Sequence, residues 1–269
     1  MLETAPASSD VSSDVAVQVD GVVKKFGSRE VLSGLTFSIH RGEVVGYLGQ
    51  NGAGKTTTLR ILAGIYRPDG GVAHVAGYDV AKNPIEAKRR IGYVPEAVDV
   101  FDWLTPWEYL RLVGRLHGLP DALIDARSRE MLDSLALLDR AGERLDTYSK
   151  GMRKKIALIA ALIHDPEVVL MDEPLDGLDA NSAIIFKSLV RALARSGKAV
   201  LYSSHLMDVV ERVADRAIVI HRGQVIVQGT LDELRRASGA PTLEDVFRRL
   251  TDPGDLEHLA QRLAQATRR

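Results

Sequence analysis

The chain has no cysteine. That excludes disulfides, cysteine-bound zinc and thiol catalysis, and it fits a reducing compartment. Charge of one sign is not in surplus either: Lys plus Arg number 35 and Asp plus Glu 36. A basic face for a nucleic-acid backbone is therefore not expected. No apolar run approaches the length that crosses a bilayer. Residues 1–14 are rich in Ser, Ala and acid and lack the basic-then-apolar pattern of a signal peptide. They read as a disordered tail. Beyond the tail there are no repeats and no low-complexity blocks. What remains is a chain of 269 residues with ordinary apolar and charged fractions, long enough for one large or two small domains with a real core.

One stretch organises the rest: Gly49-Gln50-Asn51-Gly52-Ala53-Gly54-Lys55-Thr56-Thr57. It follows an apolar run over 44–48 and precedes the helical spacing of Leu59, Leu62 and Ala63. Strand, glycine loop and helix in that order form the setting of a phosphate-binding loop. The glycines let backbone N–H groups turn inward around a polyphosphate. The helix starting near Lys55 aims its positive dipole end at the same anion. Lys55 adds a full charge toward the β- and γ-phosphates, and the Thr56 hydroxyl is placed to bind Mg²⁺.

Around this loop, residues 15–20 and 36–39 alternate apolar and polar and read as strands of an antiparallel layer. Residues 67–71 form a turn by their chemistry, and 72–76 and 91–94 are short strands. Then Thr105-Pro106-Trp107-Glu108 combines a capping box with proline at the first helical position. Leu110, Val113 and Leu116 continue that helix, and helices over 127–138 and 149–163 follow. The stretch 99–164 thus reads as a helical insertion. Strand character returns at 168–171 and 199–203, separated by a helix over 182–194. A hairpin over 217–228 turns at Arg222-Gly223. The spacings of Leu243, Val246, Phe247 and Leu250, and of Leu256, Leu259, Ala260 and Leu263, close the chain with two helices.

The run 168–171 ends in Asp172-Glu173. Ligands of α/β nucleotide-binding proteins sit at the carboxyl ends of strands. Asp172 can hold Mg²⁺ there, and Glu173 can polarise a water for attack on a γ-phosphate.

Gly49 to Thr57, Tyr148-Ser149-Lys150-Gly151-Met152, Asp172-Glu173, Gly177-Leu178-Asp179 and His205 occur in the order found in ATP-binding cassette proteins. The resemblance covers about residues 15–230. It implies an α/β fold: a P-loop NTPase core with a mainly parallel sheet, an antiparallel β layer, and an inserted all-helical subdomain over about 97–164. Residues 231–269 then form a C-terminal helical extension. It also implies ATP hydrolysis with Mg²⁺ in a head-to-tail homodimer or paired cassette. Each ATP lies between the phosphate loop of one subunit and Ser149 and Gly151 of the other. Phe26 resembles the aromatic that stacks on adenine, Asp179 the acid that crosses the dimer interface, and His205 the switch histidine that touches the γ-phosphate.

The chain departs from the family pattern at Lys150, where glycine is usual, and at Met152, where glutamine is usual. Met152 cannot make an amide hydrogen bond. Glu96 stands where many members carry glutamine, and it keeps an oxygen ligand for Mg²⁺. That acid, the Tyr148–Met152 sequence and Leu243-Glu244-Asp245-Val246-Phe247 resemble the branch that exports drugs, polysaccharides or lipids. The resemblance then implies a separate integral-membrane permease, no nucleic acid, and a cytoplasmic protein peripheral on the inner face of the cell membrane. Phe101 and Trp103 are expected to line the permease groove. A regulator that pairs with membrane proteins without transporting remains the alternative.

Overall fold

The computed structural model describes residues 14–98, 101–176, 180–205, 207–239 and 242–251. The expectations for the tail before Asp14, for Gly177, Leu178 and Asp179, and for the helix after residue 251 lie outside the described residues.

Two sheets stack over a shared core. The first has the order β2-β1-β4-β5, built from β1 (Val15–Phe26), β2 (Arg29–His40), β4 (Gly70–Val75) and β5 (Tyr78–Asp79). All its pairings are antiparallel. The hairpin of β1 and β2 is far longer than the sequence alternation indicates. Register shifts between Val19 and Val22 and again around Lys24 break the period of two, so the pattern is lost while the pairing continues. At its base the Asp14 carbonyl accepts from the Arg41 N–H at 2.9 Å.

The second sheet has the order β10-β9-β3-β8-β7-β6. Its strands are β3 (Val44–Leu48), β6 (Ile91–Val94), β7 (Val168–Met171), β8 (Ala199–Ser204), β9 (Arg216–His221) and β10 (Gln224–Thr230). Five run parallel, and β10 returns antiparallel through the Arg222-Gly223 turn. Strands β3, β7 and β8 are buried at every position. Their continuous apolar sequences reflect cover on both faces. One face packs on the antiparallel sheet and α1 (Lys55–Leu62). The other packs on α5 (Lys150–Leu162), α6 (Ala180–Arg195) and α7 (Met207–Val213). The α/β fold read from the sequence, with its parallel core and antiparallel layer, is the one observed.

Between β6 and β7 lie α3 (Pro106–Leu116), α4 (Asp121–Ser134) and α5, around their own core of Leu110, Ile124, Leu132, Leu145, Ile156 and Ile159. Each fully buried Leu or Ile there contributes about 2–3 kcal/mol. The capping box forms: the Glu108 N–H donates to Thr105 Oγ1 and the Thr105 N–H to Glu108 Oε2. Leu116 is 76 % exposed, contrary to the expected helix face. Steps of three fall short of a 3.6-residue turn, so the third residue of the series has rotated off the core side. Helix α4 begins at Asp121, not near 127, and Leu138 lies in a separate 3-10 turn. Short α2 (Pro84–Lys88) and α7 had no sequence prediction; α8 (Leu231–Ser238) falls within the stretch expected to be a C-terminal helical extension, and α9 (Leu243–Thr251) matches its predicted start.

Candidate functional site

Parallel strands in register end at the same edge of the sheet. Leu48 lies beside Ser204, Tyr202 beside Met171, and Met171 beside Val94. The segments that follow these four strands therefore converge. They form a cleft of about 640 Å³ lined by Gln50, Asn51, Gly52, Gly54, Lys55, Thr56, Thr57, Glu96, Asp172, Glu173, Asp176 and His205. Phe26, Arg29 and Val31 of the β1–β2 hairpin close one side. The sequence-predicted residues Phe26, Asn51, Gly52, Gly54, Lys55, Thr56, Thr57, Glu96, Asp172, Glu173 and His205 are thus brought together, with Gly49 and Ala53 in the same loop.

Helix α1 starts at Lys55 with no acid in its first turn and no side-chain cap, leaving its first N–H groups free for an anion. Gly54 has φ of 111°, and a Cβ there would stand 2.5 Å from Leu32 Cδ2. Only glycine fits both the angle and the space. Thr58 Oγ1 accepts from the Tyr47 hydroxyl at 3.1 Å and donates to the Gly54 carbonyl at 3.0 Å. Burial pushes the Tyr47 phenol well above its ordinary pKa, so it stays a donor.

Lys55 is nearly buried; its Nζ donates to the Gly49 carbonyl at 2.7 Å and lies 3.7 Å from Glu173 Oε1. Glu173 Oε2 accepts from the His205 N–H at 3.3 Å and contacts His205 Nδ1 at 2.9 Å. The carboxylate therefore stands between an ammonium and an imidazole. Ser203, which sequence reasoning missed, is fully buried behind it. Its Oγ donates to Asp172 Oδ1 at 2.7 Å and accepts from the Glu173 N–H at 2.9 Å. One hydroxyl thus orients both acids. A buried polar residue closing an apolar strand was the available signal. Asp172 Oδ2 is buried and has no hydrogen-bond partner among the described residues. Arg29, Gln50, Val31 and Asp176 also line the cleft and were not predicted.

Ser149 and Gly151 do not reach this cleft. They stand at the N-terminus of α5, where Ser149 Oγ accepts from the Met152 N–H at 3.3 Å. That helix also has no acid in its first turn. Lys150 instead pairs with Asp176 Oδ2 at 2.7 Å, and this contact holds the Asp176 carboxyl below its usual range. Phe101 and Trp103 are 47 % and 63 % exposed, their rings 5.4 Å apart. A groove of about 300 Å³ between the parallel sheet and the helices is lined by residues that include Pro95, Val98, Tyr109, Val113, His117 and His164, and neither Phe101 nor Trp103 is among them. Among the described residues no helix is long and apolar enough to cross a membrane.

Comparison with known proteins agrees with this geometry. Residues 32–176 match the ABC transporter family. The chain is 42 % identical over 214 residues to the ABC transporter ATP-binding protein NatA of Bacillus subtilis, covering 79 % of this chain and 87 % of that one. It is 36 % identical over 227 residues to the linearmycin resistance ATP-binding protein LnrL of the same organism, covering 84 % and 73 %. It also resembles the solved dimeric structure of an ATP-binding cassette in a post-hydrolysis state bound to ADP and Pi, with a TM-score of 0.73, 25 % identity, and 80 % of this chain and 98 % of that one covered. A phosphate loop, an acid pair and a histidine on one sheet edge, set within these similarities, lead to one conclusion: the chain belongs to the ABC transporter family and is an ATP-binding subunit that hydrolyses ATP.

Proposed function

We propose that this chain energises export through a separate membrane permease, as a head-to-tail dimer with two ATP molecules at the interface. The observation carrying this reading is the convergence of Lys55, Asp172, Glu173, Glu96 and His205 on one cleft at the N-terminus of α1. Backbone N–H groups of residues 52–56 and the Lys55 ammonium hold the β- and γ-phosphates. Phe26, 44 % exposed at the cleft wall, offers a ring face to the adenine.

The oxygens present fit Mg²⁺. The unpartnered, buried Oδ2 of Asp172 is a hard donor in need of a charge, and the Thr56 hydroxyl and Glu96 carboxylate line the same cleft. A bound Mg²⁺ neutralises phosphate charge. Glu173 takes a proton from the attacking water. His205 directs Nδ1 to Glu173, so Nε2 presents an N–H to the γ-phosphate when the ring is protonated or swings free of that contact.

The N-terminus of α5 supports a second copy as the missing half of each site. Ser149 is exposed, carries helix N–H groups, and is not among the residues lining its own cleft. Asp179 is assigned to the same interface by family pattern. ATP then holds two copies together, and loss of the γ-phosphate releases them. The exposed Phe101–Trp103 pair suits a short permease helix at the cytoplasmic face of the membrane. Drug resistance in relatives such as LnrL supports export as the direction. Glu173→Gln tests the scheme: ATP binding is retained, hydrolysis is lost, and light scattering with ATP gives a stable dimer. A monomer under saturating ATP refutes it.

A further inference from the structure

Lys154 is a lysine only 3 % exposed, in the middle of α5, and the catalytic scheme above does not use it. Its stem lies among Val94, Met171, Pro174 and Phe186 around a small apolar cavity of about 30 Å³. Its Nζ donates to the Glu173 carbonyl at 2.5 Å and to the Asp176 carbonyl at 3.0 Å. One turn earlier on the same helix, Lys150 binds the Asp176 carboxylate. Two lysines four residues apart lie on one helix face, so α5 grips the turn from Glu173 to Asp176 at two points.

That turn is unusual. Glu173 has φ of 45°, a left-handed conformation that a residue with a Cβ rarely adopts. Such a conformation persists only where its surroundings over-determine it. Here both sides of the residue are held: the N–H by Ser203 Oγ, the carbonyl by Lys154 and by the Asp176 N–H at 3.2 Å. We infer that Lys154 is a positioning residue whose ammonium clamps the Glu173–Asp176 turn, aims the Glu173 carboxylate, and ties it to the helix whose N-terminus addresses the other copy's ATP. The inference rests on the proposed roles of Glu173 and α5. It adds an internal strut joining the half-site a subunit keeps to the half-site it lends.

The absence of cysteine supplies a clean test. In Lys154→Cys the introduced thiol is the only one in the chain. Alkylating the unfolded chain with 2-bromoethylamine rebuilds a lysine analogue; alkylating with 1-bromopropane builds a neutral chain of the same length. Both are refolded and compared by circular dichroism, ATP affinity and ATP turnover. The expected result is near-normal turnover for the aminoethyl protein and a kcat lower by about tenfold or more for the propyl protein, with ATP affinity in both within about twofold of the unmodified chain. Equal turnover in the two proteins overturns the inference. So does a propyl protein that fails to fold while the aminoethyl protein folds, since Lys154 is then needed for folding and not for aim. Failure of both to fold or turn over overturns it as well, because the ammonium then does not restore function. Glu173→Gln, assayed alongside, separates the two claims: if it still hydrolyses ATP, the role of Glu173 fails before that of Lys154 is reached.

Discussion

Replacing Gly223 with alanine should damage ATP binding from outside the cleft. Gly223 is the second residue of the turn between β9 and β10, with φ of 78°. Its N–H donates to the Ala53 carbonyl of the phosphate loop at 3.0 Å, and its carbonyl accepts from the Ser33 N–H at 3.0 Å. It therefore pins the loop to β2. A Cβ there would lie 2.3 Å from the Val31 carbonyl oxygen and 2.9 Å from Leu32 Cα. These are backbone atoms, so the hairpin itself must move. The left-handed conformation costs a β-carbon about 1–2 kcal/mol, and displacing packed backbone about 1–3 kcal/mol more. The sum is a large part of the roughly 5–15 kcal/mol that holds a domain together. Loss of the bond to Ala53 removes about 1 kcal/mol from the seating of the loop, an ATP affinity weaker by roughly fivefold. Gly118 is the control: φ is 77° and nothing lies within 4 Å of its added Cβ. Gly118→Ala meets the conformational cost alone. Denaturant unfolding of both variants, with calorimetric titration of ATP, separates the contributions. If Gly223→Ala loses no more stability than Gly118→Ala and binds ATP normally, the reasoning is wrong.

Lys55→Ala removes a nearly buried ammonium from the phosphate site; ATP affinity should fall by about 10–100-fold, as expected for a charge-assisted bond of roughly 1.5–3 kcal/mol, read by calorimetry. Ser203→Ala leaves the Glu173 N–H and Asp172 Oδ1 without their hydroxyl partner; unfolding should cost about 1–3 kcal/mol less and kcat should drop while ATP affinity holds. The stacked pair His117 and His164, ring centroids 3.6 Å apart, predicts a pH dependence. Burial lowers both, His164 to about 4 with the facing His117 and Lys198 adding to it and Asp165 opposing, and His117 with Arg89 adding. A lowered folded value means the unfolded chain binds more protons between pH 6.5 and about 4. Stability is then full above pH 6.5 and declines as pH falls toward 4. For His164 the loss is about 1–2 kcal/mol once solvent screening is allowed for. Denaturant midpoints that stay flat between pH 7 and 5 in the native chain, and unchanged by His164→Asn, contradict it.

The phosphate loop was legible because each residue has a local reason. A fully apolar strand, glycines at turning points and a lysine opening a helix need no distant partner to be recognised. The same holds for β6 and β7, found at their predicted bounds, and for the Thr105–Glu108 capping box. The β1–β2 hairpin was only half visible, because its irregular register scrambles the alternation on which a strand is read. Ser203, Lys154 and the left-handed backbone of Glu173 were invisible for a different reason. Their meaning lies in contacts between segments 19 to 31 residues apart, which no single window contains. Ser149 was readable as a helix cap. Its distance from the cleft of its own subunit was not, since that depends on the packing of α5 against the turn after Glu173.

The neighbours of β3 carry a consequence for synthesis. This strand leads into the phosphate loop, yet it is bonded to β8 on one side and β9 on the other, segments that end at Ser204 and His221. At about 5–20 residues per second, a ribosome takes on the order of ten seconds or more to deliver them after residue 48 has been made. Until then a strand that is buried at every position in the folded sheet lacks a full set of mates. A nascent chain halted before Ala199 contains every letter of the nucleotide-gripping motif and still lacks both strands that flank the one leading into it.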